Sequence, residues 1–223
     1  MIHIENLRYR TLAIDSLSIG TGVTSVIGVN GSGKTTLLKL CAGIAVPDTG
    51  SILIDGTEPR QAYIGWVNEF PDRNFLFDTV SDEIASTLRF QHRPPGEIAG
   101  RTDEIRKQLG LGRLSARSVQ ELSGGEKVLV ALAAAMIQNP RLLILDECDS
   151  HLDARCMQII NQIIRQSEIP FILRSTQDME TAAESDHLIF LENGRVRFSG
   201  TPETVFTGLN GTPFYPMSWK CRT

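Results

Sequence analysis

Residues 28–36 read Gly-Val-Asn-Gly-Ser-Gly-Lys-Thr-Thr. They lie between an apolar, β-branched run at residues 23–27 and a helix-like run at residues 34–42, which is the context that a phosphate-binding loop requires. Glycines here let the backbone N–H groups turn towards a phosphate, and the helix that follows adds the positive end of its dipole. The stretch predicts a nucleotide site at the end of a strand.

Each part of this loop has an expected role. Lys34 is expected to bridge the β- and γ-phosphates of a nucleotide, and the Thr35 hydroxyl to ligate Mg²⁺. The other predicted nucleotide-binding residues of the loop are Gly28, Asn30, Gly31, Ser32, Gly33 and Thr36. The alternative is a glycine-rich turn with a chance Lys-Thr pair, and the motifs further along the chain argue against it.

An apolar run at residues 142–145 ends in two adjacent carboxylates, Asp146 and Glu147. Open α/β sheets place their ligand-binding groups at the carboxyl ends of strands. Asp146 is expected to hold Mg²⁺, and Glu147 to polarise or deprotonate an attacking water. Alone, the pair would equally suit a solvated strand end, but beside a phosphate loop it indicates a hydrolytic nucleotide site.

A third string, Leu-Ser-Gly-Gly-Glu at residues 122–126, lies shortly before that apolar run. Ser123 and Glu126 have the spacing of a capping box, in which each side chain accepts from the backbone N–H of the other residue. With Gly124 and Gly125 in the first turn, the same geometry presents N–H groups and a positive dipole end to an anion. The string predicts a helix start that is suited to phosphate.

In this order the three motifs resemble those of the ATP-binding-cassette (ABC) family, and the resemblance extends over nearly the whole chain. It implies that residues 123–125 contact the γ-phosphate of ATP bound by the opposite subunit of a head-to-tail dimer. Ser-His-Leu-Asp at residues 150–153 resembles the family's D-loop, which places Asp153 near the dimer interface. Residues 71–80 resemble the cobalt and energy-coupling-factor importer branch.

Two positions depart from the family's pattern. Glu69 stands where the family usually has Gln, which contacts Mg²⁺ and the lytic water, so Glu69 is a candidate metal and catalytic residue. Gln177, in Ser-Thr-Gln-Asp at residues 175–178, stands where the family has a His that holds the γ-phosphate and the catalytic Glu. Gln can donate a hydrogen bond but cannot carry a positive charge.

The expected consequence of both departures is a weakened local site. Loss of a pre-organised contact typically lowers the rate by roughly a hundred- to a thousand-fold. Glu69 can hold Mg²⁺ more strongly than Gln, yet like charges about 4 Å apart repel by about 4 kcal/mol at an effective dielectric of 20. The alternative is that Glu69 and Gln177 are tolerated in an active homodimer.

Three weaker signals remain open. The family stacks an aromatic ring on adenine upstream of the phosphate loop, and Tyr9 is near that place, although a core-facing Tyr9 is equally consistent. Cys148 follows Glu147 and is interpreted as a buried inert thiol rather than a redox sensor. The basic surplus of residues 86–117 suits a membrane protein or lipid headgroups, or simply a solvated helical face.

Alternating strand-like and helix-like runs predict an α/β fold, namely a P-loop NTPase with a mostly parallel sheet and an N-terminal antiparallel β-subdomain. Residues 71–117 change character and are expected to form a helical subdomain inserted in a single domain of residues 1–223. The predicted strands are residues 2–5, 17–19, 23–27, 51–55, 62–67, 142–145, 171–174, 187–191 and 195–198, and the predicted helices are residues 34–42, 80–90, 97–109, 126–138, 153–166 and 178–183.

Composition narrows the class of protein. The net charge of −4 lacks the basic surplus of nucleic-acid-binding proteins. No apolar run approaches the roughly 18 residues of a membrane span, and the N-terminus has no signal-peptide pattern. The four cysteines lack metal-ligand spacing and are expected to be reduced. These features predict a cytoplasmic protein, and the resemblance adds a peripheral position on the inner face of the cell membrane.

The resemblance implies an ATPase that uses ATP and Mg²⁺ and energises a transmembrane transporter subunit. Because the motif at residues 122–126 is intact while the local site is weakened, the favoured arrangement pairs this chain with a second, different ABC ATPase subunit. Two alternatives stay open. One is a regulatory ABC switch that binds ATP without transport, and the other is a fully active homodimer.

Overall fold

The computed structural model describes residues 1–150 and 152–220. Its strands are β1 (Ile2–Tyr9), β2 (Leu12–Ile19), β3 (Gly22–Ile27), β4 (Thr49–Ile54), β5 (Ile64–Val67), β6 (Leu142–Asp146), β7 (Phe171–Ser175), β8 (His187–Glu192) and β9 (Arg195–Gly200). Its α-helices are α1 (Lys34–Cys41), α2 (Val80–Phe90), α3 (Pro95–Gln108), α4 (Gly124–Met136), α5 (Ala154–Gln166), α6 (Met179–Ala183), α7 (Pro202–Gly208) and α8 (Met217–Lys220).

The larger sheet has the strand order β5-β6-β7-β3-β8-β9. The first five of these strands run parallel, and β9 pairs antiparallel with β8 at the edge. Strands β6 and β7 are buried along their whole length, because helices cover both faces of the sheet. The carboxyl ends of β3, β6 and β7 therefore lie side by side, and the three loops that follow them meet at one edge.

Alternate residues of β6 enter two different cores. Leu143 and Leu145 pack with α4 and α5 on one face of the sheet, whereas Leu142 and Ile144 pack with α1 and the smaller sheet on the other. The smaller sheet is antiparallel, with the order β2-β1-β4. A third core packs α7 and aromatic residues of the C-terminal segment against β8. This layering confirms the predicted fold class.

Helices α2 and α3 lie in the chain between β5 and β6, which are neighbours in the sheet. Thr79 caps α2 by accepting from the backbone N–H of Asp82, and Pro95 begins α3, where its missing N–H costs nothing. Both helices pack against α4 in the same core as Leu143. None of the helices in residues 1–150 and 152–220 has the length and apolarity needed to cross a bilayer.

The structure extends several predicted elements and adds others: β1 and β2 reach beyond the predicted residues 2–5 and 17–19, and α3 begins two residues before the predicted residue 97. The strands predicted at residues 51–55 and 62–67 become β4 and β5, which belong to different sheets. Helix α4 begins at Gly124, two residues before the predicted start, because Ser123 is its cap. Helices α7 and α8 were not predicted; α7 begins with a Thr201 cap followed by proline, a signal that the sequence does contain.

Candidate nucleotide-hydrolysis site

The first residue of the loop between β3 and α1 has a backbone conformation that only glycine adopts easily. Gly28 has φ +146°, and a Cβ there would lie 2.2 Å from the Leu191 carbonyl oxygen. Gly33 caps α1 with φ +109° and has no side chain to bond the first N–H groups of the helix. Ser32 is buried, and its hydroxyl has no partner among the described residues. The loop thus keeps donors available at a helix start, as a phosphate site requires.

Lys34 is held at the centre of the site. Its side chain is 5% exposed, and its ammonium donates to the Gly28 carbonyl oxygen at 3.1 Å. The same Nζ lies 3.2 Å from Oε1 of Glu147. The lysine charge is therefore buried between the phosphate loop and the end of β6, and it is paired as a buried charge must be.

Two hydroxyl groups donate to the Asp146 carboxylate. The Thr35 hydroxyl donates to Oδ1 at 3.0 Å, and the Ser175 hydroxyl donates to the same oxygen at 2.7 Å. The Ser175 oxygen also accepts from the Glu147 backbone N–H at 3.0 Å. Asp146 is thereby joined to the start of α1 on one side and to the end of β7 on the other.

Glu147 has a backbone conformation that is uncommon for a residue with a side chain. Its φ is +50°, and such residues concentrate at functional sites, where the surroundings enforce the strain. Its N–H is also 3.2 Å from the Ser175 carbonyl oxygen, and the Ser150 hydroxyl donates to its carbonyl oxygen at 2.7 Å. This backbone directs the Glu147 side chain towards Lys34 rather than along the strand.

The side-chain amide of Gln177 meets the other oxygen of that carboxylate. Its Nε2 donates to Oε2 of Glu147 at 2.7 Å and lies 3.4 Å from Oδ1 of Asn30. The amide thus links the loop after β7 to both the carboxylate and the phosphate loop. The Glu147 carboxylate thus has a donor on each oxygen and is held in one orientation at the mouth of the phosphate loop.

These groups surround one cavity of about 390 Å³. Its lining residues are Thr11, Asn30, Gly31, Gly33, Lys34, Thr35, Thr36, Glu69, Asp146, Glu147 and Gln177. Most of them were predicted as site residues, and they come from segments that lie far apart in the chain. Glu69 is an exposed side chain at this cavity and also lines the neighbouring one.

Several predicted residues do not line this cavity. Gly28 and Ser32 lie buried in the loop beneath it. Tyr9 is half-buried, packs against the core that holds β1, and has the Arg10 guanidinium 5.3 Å from its ring centroid. Adenine stacking by Tyr9 therefore stays a prediction.

The residues predicted to serve a second subunit also lie outside the cavity. Ser123 and Glu126 form the predicted capping box: the Glu126 carboxylate accepts from the Ser123 N–H at 2.8 Å, and the Ser123 hydroxyl accepts from the Glu126 N–H. Gly124 is exposed and Gly125 is buried beside them. Asp153 caps α5 by accepting from the Cys156 N–H at 2.8 Å. Of the D-loop string, His151 lies outside the described residues.

Cys148 is confirmed as a buried thiol. It is 5% exposed, and burial raises its pKa to about 12, with the nearby Asp149 carboxylate adding to the rise. Burial likewise raises the pKa of Cys41 to about 12. Both thiols stay protonated at neutral pH and are poor nucleophiles. Cys221 lies outside the described residues.

Sequence reasoning missed two contributors to the site. Ser175 bonds to Asp146 and to the Glu147 backbone, and Thr11 lines the cavity from the turn between β1 and β2. Ser175 ends an apolar strand. Because ligand-binding groups lie at the carboxyl ends of parallel strands, the sequence could have predicted this residue. Thr11 carries no such signal, because its position depends on how the smaller sheet packs against the larger one.

Comparison with known proteins gives a consistent result. The family model described as ABC transporter matches residues 15–150. The energy-coupling factor transporter ATP-binding protein EcfA1 of Lacticaseibacillus paracasei is 34% identical over 225 residues, which cover 93% of this chain and 81% of that protein.

Solved structures have the same fold. The protein cbiO1 from Clostridium perfringens, described as part of the ABC transporter complex cbiONQ, has a TM-score of 0.83 with 28% identity and covers 92% of this chain and 90% of that one. The ATP-binding cassette MJ0796, solved as a dimer in a post-hydrolysis state with ADP and Pi, has a TM-score of 0.79 with 24% identity. The match covers 91% of this chain and 99% of that one. The phosphate loop, the carboxylate pair and these matches together show that the chain belongs to the ABC transporter family and is one of its ATPases.

Proposed function

We propose that this chain is the ATP-hydrolysing subunit of a transporter of the energy-coupling-factor type. The observation that carries the proposal is the convergence of Lys34 and Gln177 on the Glu147 carboxylate, at 3.2 Å and 2.7 Å, within the cavity described above. The similarity to EcfA1 supports the transporter type. A transmembrane subunit is the partner that such a protein energises.

The proposed roles follow from the groups that each residue presents. Lys34 binds the β- and γ-phosphates as a point charge, and backbone N–H groups of the phosphate loop surround them. Glu147 accepts a proton from the attacking water or polarises it. Gln177 keeps the Glu147 carboxylate oriented, and Asn30 holds the Gln177 amide from the phosphate-loop side.

The residues around Asp146 suit Mg²⁺. Mg²⁺ is usually held by one or two carboxylates together with substrate phosphates and waters, and here the Thr35 hydroxyl lies 3.0 Å from Oδ1 of Asp146 at the cavity. Thr35 and Asp146 would hold the ion, with Glu69 as a third candidate at the rim. The ion would supply charge that offsets the negative charge developing on the phosphates.

The second part of the proposal is a head-to-tail dimer. The capped start of α4 presents N–H groups and a positive dipole end, yet residues 123–125 do not line the chain's own nucleotide cavity. A second cassette would bring its phosphates to this helix start. The dimeric state of MJ0796 supports such an arrangement. We propose a heterodimer, in which this chain has the slower site and completes a faster one.

The helical segment at residues 71–117 is the proposed contact with the membrane subunit. Leu76, in the segment between β5 and α2, is 68% exposed. The preceding residue, Phe75, lines a cavity of about 220 Å³ together with Asn68 and residues of β5, α2 and α4, among them Trp66. Since exposed apolar residues beside a groove are typical of protein contacts, we propose that the chain lies on the inner face of the membrane through this surface.

An active homodimer is the second candidate, and one observation favours it. Gln177 already reaches Glu147 at hydrogen-bond distance, so the substitution preserves a donor to the carboxylate. What Gln177 lacks is the positive charge of a protonated His, which would stabilise the γ-phosphate. The two candidates therefore differ in the rate of hydrolysis at the local site rather than in its architecture.

Steady-state ATP hydrolysis by the purified chain separates them, with Glu147→Gln as the blank. Tight ATP binding without turnover above the blank supports the weakened site and the need for a second cassette. Turnover well above the blank, rising with the square of protein concentration at low concentration, would show an active homodimer and contradict the heterodimer proposal. Absence of ATP binding would contradict the proposed function itself.

A further inference from the structure

The loop after β6 and the loop after β7 are joined by hydrogen bonds from three consecutive residues. Ser175, the last residue of β7, accepts from the Glu147 backbone N–H, and Gln177 on the following loop donates to the Glu147 carboxylate. Between them, the Thr176 hydroxyl donates to Oδ2 of Asp149 at 2.6 Å. We call this the Thr176–Asp149 bond. The roles proposed above for phosphate, Mg²⁺ and water do not require it.

The direction of the Thr176–Asp149 bond is fixed by its surroundings. Thr176 is 1% exposed, and its hydroxyl oxygen accepts from the backbone N–H of Asp178 at 3.0 Å. Because an ionised carboxylate can only accept, the single hydroxyl proton is donated to Asp149. The hydroxyl thus joins a backbone amide of the Gln177 loop to a carboxylate of the Glu147 loop.

Charge buried on the β7 side helps to fix the Asp149 carboxylate. Arg174 is 4% exposed, and its guanidinium donates to the Asn161 side chain and to the Thr181 carbonyl oxygen, each at 2.8 Å. Desolvation raises the pKa of Asp149, while the Thr176 hydrogen bond and the Arg174 charge oppose that rise. Buried polar groups that are satisfied in this way hold one arrangement more firmly than exposed ones.

We propose that Thr176 and Asp149 are positioning residues for hydrolysis: their bond fixes the Gln177 loop against the Glu147 loop and so keeps the Gln177 amide on the carboxylate. Neither residue lines the nucleotide cavity, so both act through Gln177 and Glu147 rather than on ATP. The inference rests on the proposed function of the site. It adds the requirement that the Gln177 loop and the Glu147 loop are held together by two residues that do not bind phosphate.

Two pairs of variants test the proposal. Thr176→Val and Asp149→Ala remove the bond, whereas Thr176→Ser keeps the hydroxyl and Asp149→Asn keeps an acceptor oxygen. We expect the first pair to lower kcat by roughly tenfold, because small misplacements of catalytic groups have large effects on rate. The affinity for ATP should be unchanged in all four, and the conservative pair should keep most of the wild-type rate. Thermal melts confirm that each variant is folded.

Combination with Gln177→Ala separates positioning from a general structural role. If Thr176 acts through Gln177, Thr176→Val should lower kcat in the wild-type background but not in the Gln177→Ala background. An equal loss in both backgrounds would overturn the proposal, as would a Thr176→Val chain with wild-type kcat. A merely structural role would lower the melting temperature and the fraction of chains that bind ATP, with kcat per bound site unchanged.

Hydrogen–deuterium exchange tests the bond even if the purified chain alone turns over no faster than Glu147→Gln, because that result would show a need for a second cassette and would not bear on the bond. Thr176→Val should speed exchange in both loops, at residues 147–150 and at residues 175–178, while Thr176→Ser should not. Unchanged exchange at residues 147–150 in Thr176→Val would overturn the proposal, because the two loops would then be held together without this bond.

Discussion

The side-chain amide of Gln177 donates a hydrogen bond of 2.7 Å to Oε2 of Glu147, opposite the Lys34 ammonium, which lies 3.2 Å from Oε1. The carboxylate thus has one charged and one neutral donor. Both hydrogen bonds are charge-assisted because the acceptor is ionised, but only Lys34 brings a positive charge. Gln177 is therefore placed to hold the carboxylate, and under the proposed function its lack of charge limits its contribution to binding the phosphate.

Gln177→His should raise the rate of hydrolysis. A protonated His adds a charged donor where Gln177 has a neutral one, so we expect kcat of the reconstituted pair to rise roughly tenfold or more. The rate should also become sensitive to pH near the ordinary His pKa of about 6.5. The measurement is kcat between about pH 6 and pH 8, with Gln177→Ala as the control that loses the donor. An unchanged rate in Gln177→His would disprove the weakened-site proposal.

Gly125→Ala should destabilise the chain, whereas Gly124→Ala should not. A Cβ at Gly125 would lie 2.4 Å from Sγ of Cys156, while a Cβ at Gly124 meets nothing within 4 Å. Overpacking typically costs about 1–3 kcal/mol in the free energy of unfolding. Urea unfolding measures it, and Gly125→Ala combined with Cys156→Ala should recover most of the loss. Equal stability of the two single variants would contradict the packing of α4 against α5.

Asp149→Asn should stabilise the chain at neutral pH and lose this advantage in acid. Burial raises the folded pKa of Asp149 above its ordinary value of 3.8, so the folded chain binds this proton more tightly than the unfolded one. Asp149 therefore lowers the free energy of unfolding progressively as the pH rises. This loss begins near the pKa of Asp149 in the unfolded chain and is complete above its pKa in the folded chain. Asn removes that dependence, and urea titrations from acid to neutral pH measure it.

Asp153→Asn is the control for that experiment, because its expected sign is opposite. The Cys156 backbone N–H holds the pKa of Asp153 below its ordinary value. Its charge contributes stability that is present above the unfolded pKa and is lost as pH falls through the folded pKa. Asp153→Asn should therefore lose stability at neutral pH relative to acid. If the stability of both variants relative to wild type changed in the same direction with pH, burial would not be the main cause of the Asp149 pKa shift.

Glu69→Gln should tighten ATP binding when Mg²⁺ is removed. Glu69 lines the nucleotide cavity, and its carboxylate repels phosphate oxygens when no divalent ion separates them. The measurement is the affinity for ATP in a chelator and then in Mg²⁺. The charge-matched control is Glu104→Gln on α3, outside this cavity. If Mg²⁺ improves the affinity of wild type no more than that of Glu69→Gln, Glu69 is not a ligand of the ion.

The sequence was sufficient for everything that depends on local order. The phosphate loop, the apolar β6 strand with its two carboxylates, and the capping box at Ser123 each follow from spacings of a few residues. It was insufficient for contacts between distant segments. The Thr176–Asp149 bond and the packing of Gly125 on Cys156 depend on how the loops after β6 and β7 meet and on how α5 crosses α4, which no local pattern encodes.

The chain leaves the larger sheet after β5, runs through α2, α3 and α4, and returns to the sheet at β6; β5 and β6 pair directly, with Val67 opposite Leu145. The sheet therefore holds both ends of the segment between β5 and β6. The length of this segment affects the free energy of folding little, because each doubling of a loop adds only about 0.6 kcal/mol of closure entropy. We therefore expect residues 71–117 to tolerate changes in length with little effect on the sheet that positions Lys34 and Glu147, so the surface proposed to contact a membrane subunit can change independently of the phosphate loop.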